Sequence, residues 1–187
     1  MLRRLLVALL LASGLGLGAP AVARADQTDP RLDGLFQRLK ATTEEAEAED
    51  IEARIWQIWI RADEGESARL MREGILAMSR RAYPEALARF DALVERAPEF
   101  AEAWNKRATV YYLVGDYAAS VGDIARTLEL EPRHFGALSG LGLIYLELDE
   151  PAAALRSFEA ALVIHPHLGG TRAQIEELRR RLRGRPT

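Results

Sequence analysis

Three prolines set the frame. Pro98, Pro132 and Pro166 stand 34 residues apart, twice over, and each closes an apolar segment of helical character: LVERAP, LELEP and LVIHP. A fixed period of this length marks a supersecondary unit that cannot bury its own apolar face and must stack on copies of itself. Aligned on the prolines, the chain divides into 67–100, 101–134 and 135–168. The aligned places then agree. The fourth holds Leu70, Trp104 and Leu138; the eighth Gly74, Ala108 and Gly142; the eleventh Ala77, Tyr111 and Tyr145. The twentieth holds Ala86, Ser120 and Ala154; the twenty-fourth Phe90, Ile124 and Phe158; the twenty-seventh Leu93, Thr127 and Ala161.

Each unit reads as two helices: 68–80 with 84–96, 102–114 with 118–130, and 136–148 with 151–164. The small residues Gly74, Ala108 and Gly142 let the two helices approach, and the aromatics fill the wider gaps. Pro84 and Pro151 fall in a first helical turn, where a missing N–H costs nothing. Gly115-Asp116 and Leu148-Asp149 form turns, with an aspartate expected to cap the following helix.

This pattern resembles the tetratricopeptide repeat, most closely in 135–168 with Gly142, Tyr145, Ala154, Phe158 and Pro166. The middle unit departs from the pattern at Arg107, Ser120 and Thr127, and the first at Ala77. The positions that carry the repeat are Gly74, Phe90, Pro98, Trp104, Ala108, Tyr111, Pro132, Gly142, Tyr145, Ala154, Phe158 and Pro166. The resemblance implies an all-α, right-handed α-solenoid whose first helices line a concave groove for a protein or peptide. The groove positions are then Met71, Ile75 and Met78, then Asn105, Thr109 and Tyr112, then Ser139, Leu143 and Leu146. Family members that grip a C-terminal carboxylate use basic residues and asparagines there. Met71 and Ile75 stand in those places, so that clamp is incomplete.

The flanks carry further helices. Leu32, Leu35, Phe36 and Leu39 share one face, as do Ile51, Ile55, Ile58 and Trp59. Residues 26–66 are therefore a helix pair, read as a degenerate repeat in the slot 33–66 or as a cap, with Lys40 where a small residue belongs. At the other end, 169–183 forms a capping helix with Ile175, Leu178 and Leu182 in one stripe, and 184–187 is a mobile tail. Residues 1–25 have the form of a cleaved secretory signal: Arg3-Arg4, the apolar run Leu5–Ala12, and Ala23-Arg24-Ala25 before the cut. The expected location is the bacterial periplasm. The alternative is an inner-membrane anchor from an uncleaved signal, although the apolar stretch is short for a span.

Composition narrows the function. The formal net charge is −3, unlike that of a general nucleic-acid binder. There is no cysteine, which removes thiol chemistry, and there are three histidines, His134, His165 and His167. His165-Pro166-His167 lacks helical metal-site spacing, and no serine has a nucleophile context. The expectation is a non-enzymatic interaction module or scaffold of the cell envelope, binding a protein or peptide, with no metal, cofactor or nucleic acid. The alternative is an assembly factor or chaperone. The acids of Glu44–Glu52 and the arginines of Arg179–Arg185 read as solvated ends.

Overall fold

The computed structural model describes residues 26–62 and 65–184. The expected signal at 1–25 and the last residues of the tail, 185–187, lie outside the described residues. After a short 3-10 turn, nine α-helices follow among the described residues: α1 Arg31–Ala41, α2 Glu45–Trp59, α3 Glu66–Ser79, α4 Tyr83–Arg96, α5 Ala101–Leu113, α6 Tyr117–Leu130, α7 Phe135–Glu147, α8 Pro151–Ile164 and α9 Gly169–Arg183. No described helix is long and apolar enough to cross a membrane. From α3 to α9 each helix packs on the next, and α5 also touches α3 and α7. That is an α-solenoid, with α3, α5 and α7 as the first helix of each pair.

The small residue of each first helix meets the large one of its partner. A Cβ on Gly74 would lie 2.6 Å from the Phe90 ring, and one on Gly142 2.5 Å from the Phe158 ring. The middle pair solves the same contact with Ala108 and Ile124, both buried in one cluster. Its departures from the pattern are satisfied by hydrogen bonds. Ser120 Oγ donates to the Ala108 carbonyl at 2.8 Å, and Thr127 Oγ1 to the Asp123 carbonyl at 2.9 Å. Arg107 bridges neighbouring pairs, donating from Nη1 to Asp91 at 2.8 Å and from Nε and Nη2 to Asp123 at 2.7 and 2.8 Å.

The period extends to the backbone. Arg81, Gly115 and Asp149, each 34 residues from the next, all have positive φ, at 59°, 82° and 54°. The N–H that follows each donates back into the first helix: Ala82 to Ala77, Asp116 to Tyr111 and Glu150 to Tyr145. Asp116 caps α6 by accepting from the Ala119 N–H at 3.1 Å. Asp149 does not cap α8 as expected. The left-handed turn carries its side chain to Arg181 on α9, at 2.5 Å.

The two flanks pack differently. Helix α9 lays Ile175 and Leu178 on Ala154 and Phe158 of the last pair. Helices α1 and α2 form a hairpin whose core (Leu32, Phe36, Leu39, Ala48, Ile51, Ile55, Ile58 and Trp59) also takes in Phe135. Ile164 and Leu168 pack against the same cluster. The hairpin thus rests on the turns between pairs near 131–136 and 164–168, far along the array from α3.

Candidate functional site

The concave face holds one hollow of about 310 Å³ between α5, α6 and α7. Asn105, Thr109, Tyr112, Ser139 and Leu143 line it, with Gly136, Gly140 and Ile144 alongside. Five of the nine groove positions read from the sequence are therefore brought together. The other four sit elsewhere. Met71 is buried in the first pair's core, 2% exposed, and Ile75 and Met78 pack partly buried against that core. Leu146 packs against the α8–α9 cluster.

The lining is mixed. Thr109 Oγ1 is turned to its own helix, donating to the Asn105 carbonyl at 2.9 Å. The Tyr112 ring leans on Tyr117, with centroids 5.8 Å apart, and burial raises the Tyr112 phenol above its usual range, so it stays a neutral hydroxyl. Asn105 is less available than its place suggests. Its amide nitrogen donates to Glu102 Oε2 at 2.9 Å.

Glu102 is the centre of a buried polar knot. Lys106 Nζ lies 2.9 Å from Oε1, and His134 Nε2 lies 2.9 Å from Oε2. The His134 Nδ1 accepts from the Ala137 N–H at 3.0 Å, capping α7, so the ring hydrogen sits on Nε2 and is donated to Glu102. Burial acts to raise the Glu102 carboxyl, but Lys106 and His134 outweigh it and hold it at about 2. The α2 helix closes over this knot. Trp59 stacks on His134 with centroids 4.2 Å apart and planes 11° apart, and Trp56 meets His134 and Phe135 edge-on. Trp56 also seats against Gly136, where a Cβ would come within 2.6 Å of its ring.

A second contact fixes the same hairpin. Glu52 accepts from His165 Nε2 at 2.9 Å and from Trp56 Nε1 at 3.1 Å. His167 Nε2 lies 3.1 Å from the Thr42 carbonyl. Glu52, read as part of a solvated acidic run, is instead a tie between the hairpin and the last pair. The sequence offered one signal for this junction, a glutamate and two tryptophans on a pair without the repeat pattern. Their partners lie 32 to 113 residues from them or from one another, beyond the reach of local spacing. Among the described residues no group of three or more side chains is arranged to hold a metal ion.

Comparison with known proteins agrees with this geometry. The family profile for the tetratricopeptide repeat matches residues 71–126 and 107–168. A TPR repeat-containing protein of Rhizobium etli is 34% identical over 157 residues, 84% of this chain and 77% of that one. The Hsp70-Hsp90 organizing protein of Triticum aestivum is 26% identical over 106 residues, 54% of this chain but 18% of its own length. Two solved structures share the fold. The first TPR of Spaghetti (RPAP3) bound to an HSP90 peptide has a TM-score of 0.62 at 18% identity, over 65% of this chain and 97% of that one. The Sgt2 TPR domain from Aspergillus fumigatus has a TM-score of 0.59 at 23% identity, over 65% and 85%. Repeating helix pairs, small-on-aromatic contacts and two overlapping profile matches meet in one conclusion: the chain belongs to the tetratricopeptide repeat family.

Proposed function

We propose that this chain is a non-catalytic interaction module of the bacterial cell envelope that binds a peptide or helix of a partner protein in its concave groove. The observation that carries the reading is the hollow at Asn105, Thr109, Tyr112, Ser139 and Leu143, a largely apolar recess with a few polar residues in its lining. The similar RPAP3 domain, whose structure holds an HSP90 peptide, supports a peptide as occupant. The chemistry of the occupant differs here. No arginine or lysine lines the hollow, so the ligand is neutral and apolar at this point, without a buried terminal carboxylate. The envelope setting rests on the signal-like residues 1–25.

The test is in-cell crosslinking from a photo-reactive residue at position 112. A discrete adduct is expected, and Leu143→Glu should remove it with helicity unchanged, because a charge in that recess lacks a counter-ion. Asn105 is the poorer probe, since its loss also disturbs Glu102. Adducts that persist with Leu143→Glu would remove the groove from the reading.

A further inference from the structure

A second recess lies outside the concave face. It measures about 650 Å³ and runs between α1 and α2 on the side of the hairpin turned away from the repeats. Two matching stripes line it. Arg31, Gly34, Leu35 and Arg38 come from α1; Arg54, Gln57 and Ile58 come from α2, and Arg61 from the segment just after its end. Both stripes have i, i+3, i+4, i+7 spacing, with an arginine at either end and an apolar residue between; the first is one face of α1, and the second runs off the end of α2 to Arg61. Arg31 and Arg38 stand about 10.5 Å apart along the α1 axis.

Three features make this a receiving surface. The floor is recessed: Ile58 is 6% exposed, beneath the guanidiniums. The rim is cationic and still open to solvent. Arg31 and Arg61 face Asp29, and Arg38 pairs with Glu47, yet these arginine side chains remain about 60% exposed. Arg54 has no carboxylate partner among the described residues. Lastly, Gly34 lies inside α1 with nothing within 4 Å of where its Cβ would be. A mid-helix glycine weakens a helix by about 1 kcal/mol relative to alanine. No neighbour in the chain calls for it, whereas a partner laid against α1 would.

We propose that this face is a second docking surface, which takes an acidic amphipathic helix of a partner protein. The helix lies between α1 and α2 with an apolar stripe on Leu35 and Ile58. Its carboxylates, seven residues apart, meet the arginines at the two ends. The charge of the rim selects an acidic partner, and the long recess between two rods fits a third rod. A bilayer surface suits it poorly, because the apolar residues sit below the charges instead of protruding beyond them.

The test uses the chain as it exists and a labelled helical peptide of about 18 residues, five turns. It carries a leucine stripe flanked by glutamates at seven-residue spacing; a control has lysines in their place. By fluorescence anisotropy the glutamate peptide should bind and weaken with salt, and the lysine peptide should not. Arg54→Glu should weaken binding about tenfold or more. Gly34→Leu should abolish it while the melting temperature holds or rises, which separates a filled groove from a misfolded chain. Tyr112→Ala should leave it unchanged, and so keeps this surface distinct from the concave one. The proposal is overturned by no saturable binding, by equal binding of the lysine peptide, or by binding insensitive to Gly34→Leu. It is also overturned if anionic phosphatidylglycerol vesicles bind in place of the peptide. Self-association of the chain that Arg54→Glu abolishes, without peptide binding, would assign the surface to a second copy.

Discussion

Replacing Gly142 by alanine tests the packing rule on which the array rests. The added methyl would lie 2.5, 2.6 and 2.7 Å from three ring atoms of Phe158, well inside van der Waals contact. Phe158 is 2% exposed and held from the far side by Ile175 and Leu178, so the ring has little room to retreat. Overpacking of this kind costs about 1–3 kcal/mol. Against that stands the helix-propensity gain from glycine to alanine, about 1 kcal/mol. The net expectation is a loss of about 0–2 kcal/mol, or up to roughly 8 °C in melting temperature for a chain of this size. Gly122→Ala in α6 is the internal control, because nothing lies within 4 Å of its Cβ position. It gains the propensity term alone and should raise the melting temperature. In thermal melts followed by circular dichroism, Gly122→Ala should rise while Gly142→Ala stays level or falls. If both rise together, the close approach of α7 to α8 does not constrain position 142, and the physical basis of the repeat assignment fails.

Three further outcomes follow from the same structure. Trp59→Ala empties a buried site between Phe36, His134 and Phe135, at about 3–5 kcal/mol. Hydrogen exchange should show α1 and α2 losing protection before α3 to α8, and uniform loss would count against a separate hairpin core. The Glu102 carboxyl, held at about 2 in the folded chain against an ordinary 4.5, contributes stability that is present above pH 4.5 and lost as pH falls toward 2. That contribution is about 3 kcal/mol at most. Denaturant melts from pH 5 to 2.5 should therefore show a steeper decline for the native chain than for Glu102→Gln, and parallel curves would contradict the sign. Arg81 occupies the left-handed turn that Gly115 fills in the next pair. Arg81→Gly should raise stability by up to about 1 kcal/mol, and a fall in urea midpoint would show that the turn is not strained.

How far the sequence could be read depends on the range of the forces involved. The helix pairs were legible because Gly74 with Phe90 and Gly142 with Phe158 are short-range neighbours at a constant offset. Asp116 was legible as a cap for the same reason. Asp149 was not, since its side chain turns to Arg181 on a helix that closes the array. The groove was half legible. Repeat register placed Asn105, Tyr112 and Leu143 correctly around one recess, but register says nothing about Met71, which neighbouring side chains bury. The N-terminal hairpin was legible as two amphipathic helices and not as to where they rest. Its partners, His134, Phe135, Ile164 and His165, lie at the junctions before α7 and after α8, two or more pairs away. Glu52 looked solvated because its acceptor role depends on an imidazole 113 residues distant.

That separation bears on the order in which the molecule comes into being. During synthesis α1 and α2 emerge well before His134 and His165, which complete their seat. Closing a 113-residue span costs about 4 kcal/mol in chain entropy beyond a constant, a cost met only when Trp59, Trp56 and Glu52 engage together. A chain stalled before α7 lacks Phe135 and His165, so both indoles miss the Phe135 ring and Glu52 misses its imidazole. The hairpin therefore completes its packing only once the third pair is in place.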